Sequence, residues 1–315
     1  VIVELKDTTT SAIAKRLIAV REEGGAVALG RVLTLVIAVE HADHEAVIEA
    51  ANEASGEHPM RILVVHAHDP ESEVARLDAE IRVGGDAGAS DVVVLDVWGP
   101  AGADPETLVN ALLLPDAPVI VWWPNKVVDS PSTSPLGSIA QLRITDTPRT
   151  TRGPEVMGRI IDGYRPGDVD LAWTRLTLWR TQLAAVLDRE PFEPVSSARV
   201  AGIRDSTSTL LMAAWLRLTL GVPVEIEAIE PEVVVGNGSL SAVELRRTSG
   251  SVVLERITPS TVRLLQPGEP EQHITIRART LPEVLAEELR SLAPDRVLGA
   301  VLGRGLPALL EELAA

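Results

Sequence analysis

Two histidine groups carry the residue types from which metal sites are built. His41-Ala-Asp-His44-Glu45 lies at a predicted helix start, and His66-Ala-His68-Asp69 lies just beyond a predicted strand, with both imidazoles on one face. A zinc site needs four donors that converge, and neither group supplies that set from its own neighbourhood. Each reads as a polar element end, so no metal is expected. Trp122-Trp123-Pro124 closes another strand, and Trp98 ends a third. Neighbouring strand residues face opposite ways, so at least one of Trp122 and Trp123 is expected outside the main core layer. Indoles at the carboxyl ends of parallel strands would line the crevice of an open α/β sheet or a protein interface; the alternative is packing against a second domain.

Basic residues follow in Arg143, Arg149, Arg152, Arg159 and Arg165, mixed with Asp146, Glu155 and Asp162, and the next helix adds Arg175 and Arg180. Such a stretch suits a phosphorylated ligand or an acidic partner surface, although mixed charge is also the ordinary content of a solvated region. The expected partner or ligand surface is therefore Trp122, Trp123, Arg143, Asp146, Trp173, Arg175, Trp179 and Arg180. Catalytic signatures are missing from the sequence: no GxGxxG after the first strand, no P-loop, no GxSxG elbow and no HExxH. Neither catalytic residues nor a cofactor is expected.

The elements that must position these residues suggest two domains in 315 residues. The chain is 45% apolar and only 3% aromatic, the palette of buried parallel strands and covering helices. Arg31–Glu40, Arg61–Ala67, Asp91–Val97 and Ala117–Trp123 read as buried strands, the last closing the sheet, with helices after Thr8, Asp43 and Asp104. Ala75–Val83 alternates as a half-exposed strand or an edge strand does. The fold class is α/β: a Rossmann-like open sheet over residues 1–142, a connecting helical segment over 143–196, and an α+β domain over 197–315. Asp170–Asp188 reads as one long helix, with Ala172, Leu176, Trp179, Leu183 and Val186 at helical spacing. The last domain contains an antiparallel meander, Leu240–Arg247, Val252–Ile257, Val262–Gln266 and His273–Arg279, before a capping box at Thr280-x-x-Glu283.

The net charge is −16, and residues 1–142 hold −13 of it, from 9 Lys+Arg against 22 Asp+Glu. An acidic half repels phosphate backbones and anionic lipid, so neither nucleic acid nor membrane is an expected partner. The chain has no cysteine, which excludes disulfides, thiolate ligands and thiol switches within it. The acidic N-terminus, with Glu4 and Asp7, lacks signal-peptide character, and a cytoplasmic location is expected.

Several short stretches, in order along nearly the whole chain, carry a resemblance. They include Gly30-Arg31-Val32-Leu33-Thr34-Leu35, Arg82-Val83-Gly84-Gly85-Asp86-Ala87-Gly88-Ala89-Ser90 and Leu114-Pro115-Asp116 through Trp122-Trp123-Pro124. Arg143-Ile144-Thr145-Asp146, Gly167-Asp168-Val169-Asp170-Leu171-Ala172-Trp173-Thr174-Arg175 and Leu285-Ala286-Glu287-Glu288-Leu289-Arg290 follow. Together they resemble the actinobacterial glucose-6-phosphate dehydrogenase assembly proteins, the OpcA family, with Leu142 standing where that family tends to have arginine. The resemblance implies a non-catalytic partner that assembles or allosterically activates glucose-6-phosphate dehydrogenase, which feeds the oxidative pentose phosphate pathway and makes NADPH. It implies no metal and no catalytic residue. The readings from other classes are a sugar-phosphate-binding enzyme or sensor using the Trp and Arg crevice, and a structural dimerisation module.

Overall fold

Runs rich in branched aliphatic residues build the central strands of the first sheet, because a strand covered on both faces has no position that faces water. A computed structural model describes residues 1–23, 30–40, 44–84, 90–147, 153–190, 192–230 and 239–314. In chain order the elements begin with β1 (Ile2–Leu5), α1 (Thr10–Glu23), β2 (Leu33–Val39), α2 (Glu45–Ala54), β3 (Met60–Asp69), β4 (Arg76–Val83) and β5 (Asp91–Trp98). Next come α3 (Pro105–Asn110), β6 (Val119–Trp123), α4 (Pro135–Ser138), β7 (Leu142–Thr145), α5 (Gly153–Gly163), β8 (Asp168–Asp170), α6 (Leu171–Thr174) and α7 (Thr177–Leu187). The remainder is β9 (Ser197–Gly202), α8 (Thr207–Leu220), β10 (Val224–Ala228), β11 (Leu240–Arg247), β12 (Gly250–Arg256), β13 (Thr261–Leu265) and β14 (Gln272–Thr275), then α9 (Leu281–Leu289), α10 (Arg296–Ala300) and α11 (Leu306–Ala314). No helix among the described residues is long and apolar enough to cross a membrane.

The first sheet has eight strands in the order β1-β4-β5-β3-β2-β6-β7-β8. Its centre, β5-β3-β2-β6-β7, is parallel, and β4 and β1 extend it antiparallel. One face buries Val36, Leu63, Leu95, Val121 and Trp123 with Ile13, Leu17 and Val20 of α1 and Leu108 and Val109 of α3. The opposite face buries Leu35, Ile37, Ile62, Val64, Trp122 and Ile144, and α2 packs on β3 and on α9. The alternation at Ala75–Val83 has its cause in the antiparallel rim, where Arg82 donates to Glu45 Oε2 at 2.8 Å and Arg76 Nε to Asp78 Oδ1 at 2.9 Å. Those Arg76 bonds, the largest cause, hold the Asp78 carboxyl down at about 2.

The second sheet runs β10-β9-β11-β12-β13-β14. β9 and β10 are parallel, joined through α8, and β11 to β14 form the expected antiparallel meander. The turn at Ser249-Gly250 needs its glycine, since Gly250 has φ of 132°; Gly236-Asn237-Gly238 lie outside the described residues.

The structure departs from the sequence expectation in four places. β1 has no counterpart in that expectation: it is four residues long and a rim strand, so its alternation is partial. The sheet does not end at Trp123, because β7 and β8 continue it. The single helix expected over Asp170–Asp188 is two, α6 and α7. Asp170 accepts from Ala172 N at 2.8 Å to start the first, and Leu176 N closes a tight turn onto Trp173 O at 3.0 Å before the second. The chain also divides differently from the three consecutive segments expected. One compact unit is Val1–Asp146 with Gly167–Val169 and Leu281–Pro294, and the other is Thr147–Pro166, Asp170–Thr280 and Asp295–Ala315. The reason for the return at Leu281–Pro294 is α9, whose Val284, Leu285 and Leu289 are buried in a helix that packs on α2 of the first unit.

Candidate functional site

From β2 the chain proceeds to β3 and β5 on one side and returns to β6 on the other. The gap between the carboxyl ends of β2 and β6 is therefore the topological switch point, where open α/β sheets hold ligands. A cavity of about 250 Å³ lies there, lined in part by Val39, Glu40, Ala46, Asn125 and Lys126. Glu40 and Lys126 form an ion pair. Between β2 and α2 the sequence Glu40-His41-Ala42-Asp43-His44 contains no glycine, and Glu45 opens the helix. A dinucleotide fold presents glycines and free backbone N–H groups to a pyrophosphate at this position. Here the segment has no glycine, and its described carboxylates, Glu40 and Glu45, pair with Lys126 and Arg82.

Beside the switch point, the carboxyl ends of β3 and β5 bring the two histidine groups together. His66 Nδ1 and His68 Nε2 lie 3.0 and 2.7 Å from a single oxygen, Asp96 Oδ1. One ligand atom from each of these three residues lies within 4.8 Å of the others. The His44 ring centroid is 5.0 Å from that of His66, and the two rings of His66 and His68 are 3.9 Å apart. His68 stacks on Trp98 at 4.5 Å with an interplanar angle of 7°, and the Arg76 guanidinium carbon sits 4.8 Å from the same indole. Burial, partly offset by the bond to Asp96, holds the His66 imidazole below its ordinary pKa. Taken one at a time in the sequence, the groups carry no expectation of a metal; the fold makes His44, His66, His68 and Asp96 one cluster. His41 lies outside the described residues.

The residues expected to form a partner surface divide between the two units. In the first, Trp122 and Trp123 point to opposite faces as expected, but both are buried, so neither indole is left outside the packing. Arg143 is also buried: Nη1 donates to Ala140 O at 2.8 Å and Nε to Asp168 Oδ1. Gly167, with φ of 95°, lies so close that a Cβ there would be 2.8 Å from Arg143 Nη2. Asp146 is buried as well. In the second unit, Trp173 is buried and donates from Nε1 to Asp295 Oδ2 at 2.7 Å, under the Arg180 guanidinium carbon at 3.6 Å. Trp179 is buried with the Arg256 guanidinium carbon 5.4 Å from its ring. Arg175 and Arg180 are half-buried. The four tryptophans of the expected surface are thus all buried. Arg149 and Arg152 lie outside the described residues.

Comparison with known families decides the lineage. Residues 51–159 match the N-terminal domain of the glucose-6-phosphate dehydrogenase subunit of the OpcA assembly type, and residues 166–302 match the corresponding C-terminal domain. The chain belongs to the OpcA family. Among curated protein sequences no significant match is found. Solved structures similar to this OpcA-family chain include a Synechocystis biliverdin reductase with biliverdin and NADP+, at 11% identity over 90% of this chain and 98% of that one, with a TM-score of 0.45. An oxidoreductase from Sinorhizobium meliloti is 12% identical over 88% and 95%, with a TM-score of 0.47. A myo-inositol dehydrogenase from Lactobacillus casei is 12% identical over 88% and 93%, with a TM-score of 0.40.

Proposed function

We propose that the chain is a non-catalytic partner of glucose-6-phosphate dehydrogenase, which it assembles or allosterically activates in the cytoplasm. Membership of the OpcA family, described as a glucose-6-phosphate dehydrogenase subunit, supports the association. The observation that carries the non-catalytic part is the glycine-free, carboxylate-bearing segment at the switch point, at the end of the sheet where a nucleotide-using enzyme of this architecture grips phosphate. The crevice reading, a sugar-phosphate site built on tryptophan faces, is weakened by the burial of Trp122, Trp123, Trp173 and Trp179.

The proposed contact surface lies on the second unit, around α7 and its exit. Arg175 and Arg180 flank it half-buried, and the chain's one phenylalanine, Phe192, is 73% exposed just beyond. Exposed aromatics and arginines are the usual anchors of protein interfaces. Phe192→Ala and Arg175→Ala should each weaken dehydrogenase binding by about 2 kcal/mol, roughly thirtyfold. Calorimetric titration against the dehydrogenase measures this, with thermal melting of the variant as the control on folding. Unchanged affinity at both positions would move the contact to the acidic first unit.

A further inference from the structure

We propose that His66, His68 and Asp96 bind a divalent transition-metal ion of the zinc class at the carboxyl ends of β3 and β5, with His44 beside it. Tetrahedral zinc with bonds of about 2.0–2.2 Å sets its donor atoms roughly 3.3–3.6 Å apart. The donors here already fall within 4.8 Å of one another, so rotamer adjustments of about an ångström close the site. The rings are held in place before any ion arrives: His66 is buried between strands, and His68 lies flat on Trp98. Both rings also aim one nitrogen at the same carboxylate oxygen.

A carboxylate accepts and does not donate, so each ring nitrogen facing Asp96 carries the hydrogen. Binding changes the tautomer. The ring hydrogen sits on the other nitrogen of its own imidazole in the bound state, and the facing nitrogen offers its lone pair to the ion. His44 has a buried Nδ1 without a hydrogen-bond partner among the described residues, and its ring is 5.0 Å from that of His66. It stands outside the three-donor set, whose fourth position takes water unless the His44 side chain rotates in. His68 and Asp96 are partly exposed, which gives the ion a way in from solvent. Two imidazoles and one carboxylate favour zinc, nickel or copper over magnesium and calcium, which prefer all-oxygen sets. The site stands independently of the dehydrogenase association.

The test uses the untagged full chain, stripped with chelator, then titrated with zinc chloride by calorimetry and assayed for retained zinc after gel filtration. The expected result is one zinc per chain, with the thermal midpoint raised by added zinc through mass action. His68→Gln and Asp96→Asn remove donors at the solvent side, where the strands tolerate them, and each should weaken zinc binding at least tenfold. His273→Ala, at an exposed histidine paired with Glu271, should leave it unchanged. Circular dichroism confirms that the variants fold; if one fails to fold, the other decides. A stripped wild-type chain that binds zinc no tighter than about 1 mM overturns the proposal. So does zinc binding that is equal in the wild type and a folded donor variant, which would place the ion elsewhere.

Discussion

Asp91→Ala should lower the unfolding free energy of the chain by about 3–5 kcal/mol, the cost of leaving buried charge without its counter-ion. Asp91 begins β5 and is fully buried. Its Oδ1 accepts from Arg31 Nη2, and its Oδ2 lies 3.6 Å from Arg61 Nη2 and 3.8 Å from Arg21 Nε. Arg61 is further fixed by donating to Leu112 O at 2.8 Å. Burial depresses the pKa of both Arg31 and Arg61, with Asp91 as the main opposing influence. One carboxylate therefore holds two nearly dry guanidiniums at the amino ends of β2, β3 and β5. Removing it leaves the cations facing one another in a poorly solvated site. Urea unfolding followed by fluorescence measures the loss, and Arg31→Met in the Asp91→Ala background should recover part of it. A loss under about 1 kcal/mol, the range of an exposed pair, would show that water reaches the cluster.

Trp173→Ala should cost the second unit about 3–5 kcal/mol, the range for truncating a buried large aromatic. The indole is 1% exposed on α6, the short helix started by the Asp170 cap. Its Nε1 donates to Asp295, which also caps α10 by accepting from Val297 N and Leu298 N at 2.7 and 3.0 Å. The indole thus ties α6 to the start of the C-terminal helices, while Arg180 covers one ring face. Trp173→Phe keeps most of the apolar contact and loses the hydrogen bond, so its cost should be smaller. Thermal melting of both variants separates the two contributions. Equal midpoints for Trp173→Phe and Trp173→Ala would mean that the hydrogen bond, and not the packing, holds this element.

The parallel centre of the first sheet is legible because β2, β3, β5 and β6 are nearly continuous aliphatic runs, and burial on both faces demands that composition. β7 is also buried throughout, but four residues, Leu142-Arg143-Ile144-Thr145, carry too little pattern, and the arginine and threonine find internal partners that sequence does not reveal. The 3.6 period through Trp179, Leu183 and Val186 is real. The break before it is invisible because Arg175 and Leu176 keep helical backbone angles while the hydrogen bonding tightens. The tryptophans mislead for a related reason: alternation assigns Trp122 and Trp123 to opposite faces, but cannot say that both faces are covered. The histidine cluster had a usable signal. His44 follows β2, His66 and His68 close β3, and Asp96 nears the end of β5, all carboxyl ends of adjacent parallel strands. Only the strand order brings them together, and that order becomes visible once β5, β3 and β2 are known neighbours.

The proposed partnership with glucose-6-phosphate dehydrogenase is tested by mixing the two proteins. The purified chain and purified glucose-6-phosphate dehydrogenase are combined, with complex mass followed by light scattering and NADPH formation followed by absorbance over a glucose-6-phosphate series. This partnership predicts no NADPH from the chain alone, a complex heavier than the dehydrogenase, and faster turnover or a lower KM in the mixture. An unchanged dehydrogenase mass together with unchanged kinetics would contradict it, as would glucose-6-phosphate oxidation by the chain on its own.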